Sequence, residues 1–217
     1  MSSRRVALIV TIVLAAVVFI GGFVVALASP TTNASPSPAA QLVRSNSQVL
    51  DAGGDNAVTV VEFLDFECEA CGAMYPVVDQ LRQEFRDRIT YVVRYFPLAG
   101  HFNSGAAALA AQAAADQGQF EPMFRRLFET QANWGEDKVS RADEFRGFAQ
   151  DLSLDMGRYD ASIADPKTQQ RIQIDLNDGQ ALGVRGTPTF FVDGKEVELT
   201  KTTDLRDAIV RALEAKS

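Results

Sequence analysis

Two cysteines, Cys68 and Cys71, stand three residues apart and are the only thiols in the 217-residue chain. A Cys-x-x-Cys pair can close a structural disulfide, supply half of a tetrahedral metal site, or exchange disulfides with another molecule. Structural zinc takes four ligands, and the chain offers two thiols and a single histidine, His101, so zinc would require sharing between subunits. A plain bridge or an inert buried pair stays open. The setting favours exchange chemistry. Cys68 follows a short apolar run and opens a helical pattern, where amide N–H groups and the helix dipole favour the thiolate, the reactive species. Cys71, one helical turn on, is placed to attack a mixed disulfide and release the product.

The elements that must position this pair are legible on both sides of it. Val58 to Phe66 (VTVVEFLDF) reads as a buried strand. Glu62 is its anomaly: an unpaired carboxylate there is costly, so it either handles protons or is a strand residue facing solvent or paired with Arg94. Ala70 to Arg86 reads as a helix, with Met74, Val77, Val78, Leu81 and Phe85 at three- and four-residue spacings. Pro76 should kink it. Ile89 to Phe96 is a second strand. The alanine-rich stretch from Ser104 to about Leu182 reads as four or five helices, broken at Gly118, Gly135 and Gly157. Thr189 to Val192 is a strand ending at the hairpin turn Asp193-Gly194, and Glu196 to Leu199 returns beside it. Thr203 is expected to cap a last helix whose Leu205, Ala208, Ile209, Ala212 and Leu213 share one face. The acidic residues between 116 and 178 read as solvated helix faces. Trp134 reads as an anchor between helices, and His101 as a turn or cap residue or part of the active-site rim.

Charge and the amino terminus bound the function. The chain carries −7 overall, and residues 1–40 hold two arginines and no acid, so the remainder is near −9. Nothing in so acidic a domain would replace counterions on a phosphate backbone, which argues against nucleic acid as a partner. Val6 to Ala28 is 23 residues without a charge, about 35 Å of helix at about 1.5 Å per residue, enough to cross a hydrocarbon core of about 30 Å. Arg4 and Arg5 precede it and would stay cytoplasmic, leaving the rest of the chain outside. Ala26-Leu27-Ala28 also has the small-x-small form of a cleavage site, so a removed signal peptide is the alternative. Residues 1–28 are therefore expected as a membrane anchor or signal peptide and 29–48 as a Ser/Pro/Ala-rich linker. Residues 49–217 follow as one α/β domain with a helical insertion at about 104–182.

Four features together resemble the thioredoxin superfamily, and within it the DsbA/BdbD-type thiol–disulfide oxidoreductases. Glu62-Phe63-Leu64-Asp65-Phe66-Glu67-Cys68 is similar to that family's strand leading into its redox motif, with an acid six residues before the first cysteine. Pro76 matches the kink proline, five residues after Cys71. Phe96-Pro97-Leu98, His101 and the helix after them are similar to the start of its helical insertion. Gly186-Thr187-Pro188-Thr189-Phe190-Phe191-Val192 resembles its cis-proline loop and following strand. The resemblance implies a thioredoxin-like fold, with Cys68 as nucleophile, Cys71 as resolving thiol and Glu62 as a buried proton carrier. It also implies that Thr187 and a cis Pro188 bind an extended substrate segment. No cofactor and no metal are implied. The implied partners are exported proteins with cysteines and a membrane redox protein that recycles the pair. One departure stands out. The middle dipeptide is Glu69-Ala70 rather than the Pro-His of strong oxidases, so Glu69, with Asp65 and Glu67 nearby, is expected to oppose the thiolate and make the disulfide less oxidising than in a Pro-His enzyme. A disulfide donor is the leading expectation, with a reductase or isomerase of the same fold, or a non-catalytic peptide-binding module, as alternatives.

Overall fold

The computed structural model describes residues 40–217. The expected span at 6–28 and residues 29–39 of the expected linker lie outside the described residues. Among the described residues, no helix is long and apolar enough to cross a membrane.

The chain runs β1 (Gln48–Asp51), β2 (Val58–Leu64), α1 (Glu69–Phe85), a 3-10 turn (Arg86–Arg88) and β3 (Ile89–Tyr95). Five helices follow: α2 (Ser104–Ala115), α3 (Phe120–Trp134), α4 (Ala142–Asp151), α5 (Met156–Ala164) and α6 (Pro166–Ala181). β4 (Thr189–Val192), β5 (Lys195–Val197) and α7 (Asp204–Glu214) close the domain. The five strands form one sheet in the order β1-β3-β2-β4-β5. β2 and β3 are parallel and joined by α1 as the crossover a parallel pair requires, while β4 lies antiparallel to β2. This is the expected α/β architecture, with its helical insertion between β3 and β4. The Asp193-Gly194 turn is formed with both residues at positive φ, 45° and 81°, the backbone a two-residue hairpin needs and glycine takes without strain.

Central position makes β2 apolar on both faces. Val58, Val60 and Leu64 join one cluster with Cys68, Cys71, Met74 and Val78 of the redox segment and Leu205 and Ile209 of α7. Val61 and Phe63 join another with Val92, Phe96 and Phe191, against which Leu176 of α6 packs. Strand alternation puts Glu62 on the face shared by Val60, Leu64 and the cysteines.

Three details depart from the sequence reading. Gln48–Asp51 is a strand, antiparallel to β3, where the polar-apolar mix QVLD gave no strand pattern. Thr203 already has helical dihedrals and makes no capping bond; the Asp204 carboxylate instead accepts from the N–H groups of Thr200 and Lys201. Two of the acids read as solvated, Asp175 and Asp178 on α6, are buried. They face Arg94 of β3, which is fully buried: its Nε lies 2.6 Å from Asp175 and its Nη2 2.5 Å from Asp178. Arg94 Nη1 donates to the carbonyls of Gln41 and Leu42, and Arg44 pairs with Asp178, so residues 41–44 are docked on the domain. Buried charge survives here because each carboxylate has cationic partners and hydrogen bonds.

Candidate active site

α1 begins immediately after Cys68, which occupies the N-cap position with extended dihedrals. Cys68 is 8% exposed, whereas Cys71 is 1% exposed. The Cys68 pKa is lowered to about 5. A hydrogen bond from the Cys71 side chain is the largest cause; burial opposes it; the Thr187 side chain and the N–H groups of Cys71 and Ala70 add to it. These amides are the first-turn donors that a helix leaves unpaired, and a thiolate at the N-cap accepts from them. Burial, the Cys68 hydrogen bond and the charge of Glu62 hold Cys71 well above the ordinary thiol range. Two thiols one turn apart are thus driven in opposite directions by their places on one helix.

The loop before β4 completes the approach to Cys68. The Thr187-Pro188 peptide is cis, and the Cys68 thiol donates to the Thr187 carbonyl at 3.2 Å across 119 residues of sequence. The Thr187 hydroxyl is buried and bonded to nothing else, free to turn toward a thiolate. Thr189 Oγ1 ties the loop by donating to the Gly186 carbonyl at 2.8 Å.

Glu62 lies beneath the pair, 3% exposed, and accepts a 2.5 Å bond from the Tyr91 hydroxyl of β3. Desolvation raises its pKa to about 7; the Tyr91 bond works against this and the Cys68 charge adds to it. Arg94, the alternative partner considered for Glu62, belongs to the opposite face of the sheet with Asp175 and Asp178. Glu69 and Ala70 are exposed beside Cys68. Ala70 acts on the sulfur through its backbone N–H, and Glu69 is absent from the causes of the Cys68 shift, as expected for a charge facing water.

Further residues brace the site, and of these Asn103 and Gln131 carried no pattern visible in the sequence. Asp65 is 2% exposed; it accepts from the Glu67 and Leu98 amides and lies 2.7 Å from His101 Nδ1. Burial lowers the His101 pKa, and the Asp65 carboxylate overcomes this and raises it. Glu67 is 1% exposed and accepts from the Asn103 amide at 2.6 Å. Gln131 of α3 donates to the carbonyls of Phe66 and Cys68 at 2.7 and 2.9 Å, fastening the insertion to the redox turn. Gly72 admits it, since a Cβ there would lie 1.9 Å from Gln131 Oε1. That glycine beside Cys71 was the one available hint of a close approach. Trp134 is fully buried, edge-on to Phe145 at 4.8 Å. Among the described residues, no group of three or more His, Cys, Asp or Glu side chains is placed to hold a metal ion.

Comparison with known proteins agrees with this geometry. A family model described as thioredoxin matches residues 52–211. The structure is similar to a thioredoxin-like oxidoreductase from Silicibacter pomeroyi, with a TM-score of 0.65, 28% identity and coverage of 79% of this chain and 94% of that one. It is also similar in fold to oxidised BdbD from Bacillus subtilis, with a TM-score of 0.69, 20% identity and coverage of 81% and 97%. The fold is therefore thioredoxin-like with a helical insertion. In sequence the chain is 36% identical over 143 residues to a Na(+)/H(+) antiporter NhaA from Herminiimonas arsenicoxydans, 66% of this chain and 22% of that protein. The chain spans about a fifth to a quarter of the length of the curated relatives it matches.

Proposed function

The chain belongs to the thioredoxin family, and from that premise we propose that it is a thiol–disulfide oxidoreductase that donates the Cys68–Cys71 disulfide to protein thiols. The observation that carries this reading is the placement of Cys68 at the N-cap of α1, one turn from Cys71 and 3.2 Å from the Thr187 carbonyl of the cis-proline loop, a setting that lowers its pKa to about 5. A stabilised thiolate favours the reduced form of the pair, which makes its disulfide oxidising. A substrate thiolate attacks Cys68 Sγ, the Cys68–Cys71 bond breaks, and Cys71 leaves with the electron pair and takes a proton. A second substrate thiolate then attacks the substrate sulfur of the mixed disulfide and expels Cys68 as a thiolate. The substrate ends with one disulfide, and the protein with two thiols. Thr187, at 3.2 Å from the Cys68 sulfur, would hold an extended substrate segment through its backbone.

Substrates are exported polypeptides with cysteines, and a membrane redox protein returns the pair to the disulfide. The uncharged run at 6–28 behind Arg4 and Arg5 supports a membrane-tethered domain on the extracytoplasmic side, or a released one after cleavage. The reading is tested by mixing stoichiometric oxidised protein with a reduced, unfolded disulfide protein. Thiols on Cys68 and Cys71 should appear as substrate disulfides form, one pair per disulfide. A pair that stays oxidised while the substrate stays reduced would sink it.

Glu62 is the group that takes the Cys71 proton when the reduced pair is reoxidised, because it is the buried carboxyl whose charge acts on Cys71. With its pKa near 7, the base form gains population between pH 6 and 8, and reoxidation by oxidised glutathione should speed up across that window. Glu62→Gln should flatten that limb and slow the reaction at pH 8 by at least about tenfold, modest against the about 10²–10⁴ typical of a proton-transfer group. Stability should move the other way. The folded state holds this proton more tightly than the unfolded chain, so the Glu62 contribution to stability is lost as pH rises from about 4.5 to 7. The stability difference between the wild type and the Gln variant should change by on the order of 3 kcal/mol across that window, while the lowered Cys68 thiol acts in the opposite sense in both reduced proteins. An unchanged pH–rate profile in Glu62→Gln reduces Glu62 to a structural residue.

A further inference from the structure

Beside Cys68, on the side of the helical insertion, lies a cleft of about 430 Å³ lined by Glu67, Glu69, Gln131, Ala132, Gly135 and Glu136. Its charged lining residues are all acids. Glu69 and Glu136 are exposed, and Glu67 is buried with its Oε1 bonded to no donor. Among the described residues no arginine or lysine pairs with these three carboxylates: Arg141, the nearest arginine in sequence to Glu136, is engaged by Asp137 and Glu144, and Lys138 is exposed outside the lining; His101, held by Asp65, feels Glu67 only as a lesser charge. The Gln131 amide donors are spent on the Phe66 and Cys68 carbonyls, so they leave the cleft without a compensating donor. The cleft therefore presents negative charge and an unmet acceptor one residue from the nucleophile.

We propose that this cleft is a subsite for a lysine or arginine side chain of the substrate polypeptide, next to the cysteine being oxidised. The inference rests on the disulfide-donor reading above and adds a substrate preference to it. An extended segment advances about 3.3–3.6 Å per residue, so a side chain one or two positions from the sulfur joined to Cys68 reaches Glu69 and the cleft behind it. A basic side chain gains there from three carboxylates, one of them shielded from water, and its ammonium or guanidinium supplies donors for the open oxygen. An acidic neighbour in the same position meets like charge. A metal ion is a poor alternative occupant, since no metal-holding group of side chains is present among the described residues.

The test uses the full chain and three reduced dithiol peptides that differ only in whether lysine, glutamine or glutamate flanks the first cysteine. Each rate of disulfide donation is divided by that peptide's rate with a small neutral disulfide, which removes the effect of the flanking charge on the peptide's own thiol. At about 20 mM salt the lysine peptide should react about fivefold faster than the glutamine peptide, and the glutamate peptide more slowly still, a modest effect beside the about 10–10³ of full electrostatic steering. At about 1 M salt, where screening acts within about 3 Å, the ratios should approach one. Glu69→Gln combined with Glu136→Gln should cut the lysine-to-glutamate ratio at least about threefold; both side chains are exposed, so the fold should tolerate the change. Equal normalised rates for the three peptides overturn the subsite and leave the donor reading standing. A preference that survives the double substitution places the selectivity elsewhere and also overturns it. Failure of all three peptides to gain a disulfide overturns the donor reading and this inference with it.

Discussion

Cys68→Ser abolishes disulfide donation, with a loss of at least about 10³-fold in the rate at which a reduced, unfolded protein gains disulfides. The expectation rests on exposure and charge. Cys71 is 1% exposed and held well above the ordinary thiol range, so it cannot replace Cys68 as the sulfur that a substrate reaches. Cys71→Ser has a different consequence. It leaves the reactive thiol in place, so with a disulfide-bearing substrate the Cys68 thiolate attacks one sulfur and expels the other as a thiolate; with no Cys71 thiol to attack the mixed disulfide, a one-to-one covalent adduct should accumulate, visible on a non-reducing gel. The wild-type Cys68 should be alkylated with a pH midpoint near 5, set by the neighbouring Cys71 and Thr187 side chains and the first-turn amides. Activity retained in Cys68→Ser, or an alkylation midpoint in the ordinary thiol range of about 8.5, would refute the assignment of the nucleophile.

Asp175→Ala should destabilise the domain by about 3–5 kcal/mol, the cost of leaving a buried charge without its partner. Asp175 is fully buried; besides Arg94 it holds Arg171 Nη1 at 2.5 Å and accepts from the Tyr95 amide at 3.1 Å. Removing the carboxylate strips one anion from each of two buried guanidinium groups, while Asp178 still pairs with Arg94. The loss should appear as a lower denaturant midpoint with an unchanged slope. Because the cluster lies on the sheet face opposite the cysteines, the alkylation midpoint of Cys68 should not move. A loss below about 1 kcal/mol would mean that water or rearranged partners satisfy the arginines.

The residues gathered around Cys68 were more legible in the sequence than those that hold them in place. Cys68, Cys71, Glu62 and the Thr187-Pro188 loop each violate a local expectation: thiols in an acidic chain, a carboxylate in an apolar strand, a proline directly before a strand. Such anomalies are visible one residue at a time. Asp175 and Asp178 were misread because on a mostly polar helix a buried acid looks like a solvated one; what buries them is Arg94, about 80 residues earlier, and local periodicity carries no record of that pairing. Gln131 and Asn103 were invisible for the same reason, since each side chain bonds to backbone groups of distant segments, Gln131 to Phe66 and Cys68 and Asn103 to Asp137, Val139 and Arg141. β1 escaped because an edge strand of four residues needs few apolar positions. The charge effect assigned to Glu69 was argued from sequence distance to Cys68. The fold leaves that side chain exposed, and the largest influence on the sulfur is the Cys71 side chain, joined by Thr187 and the first-turn amides.

The two ends of the sheet have a consequence for behaviour at high concentration. A β-sheet edge is a row of unpaired backbone groups on which another chain can grow, and long, flat, apolar edges are where aggregation starts. Neither edge of this sheet is of that kind. β1 is four residues long, and its register slips between Val49 and Asp51, which twists the strand out of line. β5 is three residues long, with Lys195 and Glu196 exposed. On the proposed function the domain would meet many extended, thiol-bearing segments able to add a strand, and an open edge would capture them without regard to their cysteines. Short, bulged and charged edges discourage such capture and, on the proposed function, would leave the loop at Thr187 to hold the extended chain.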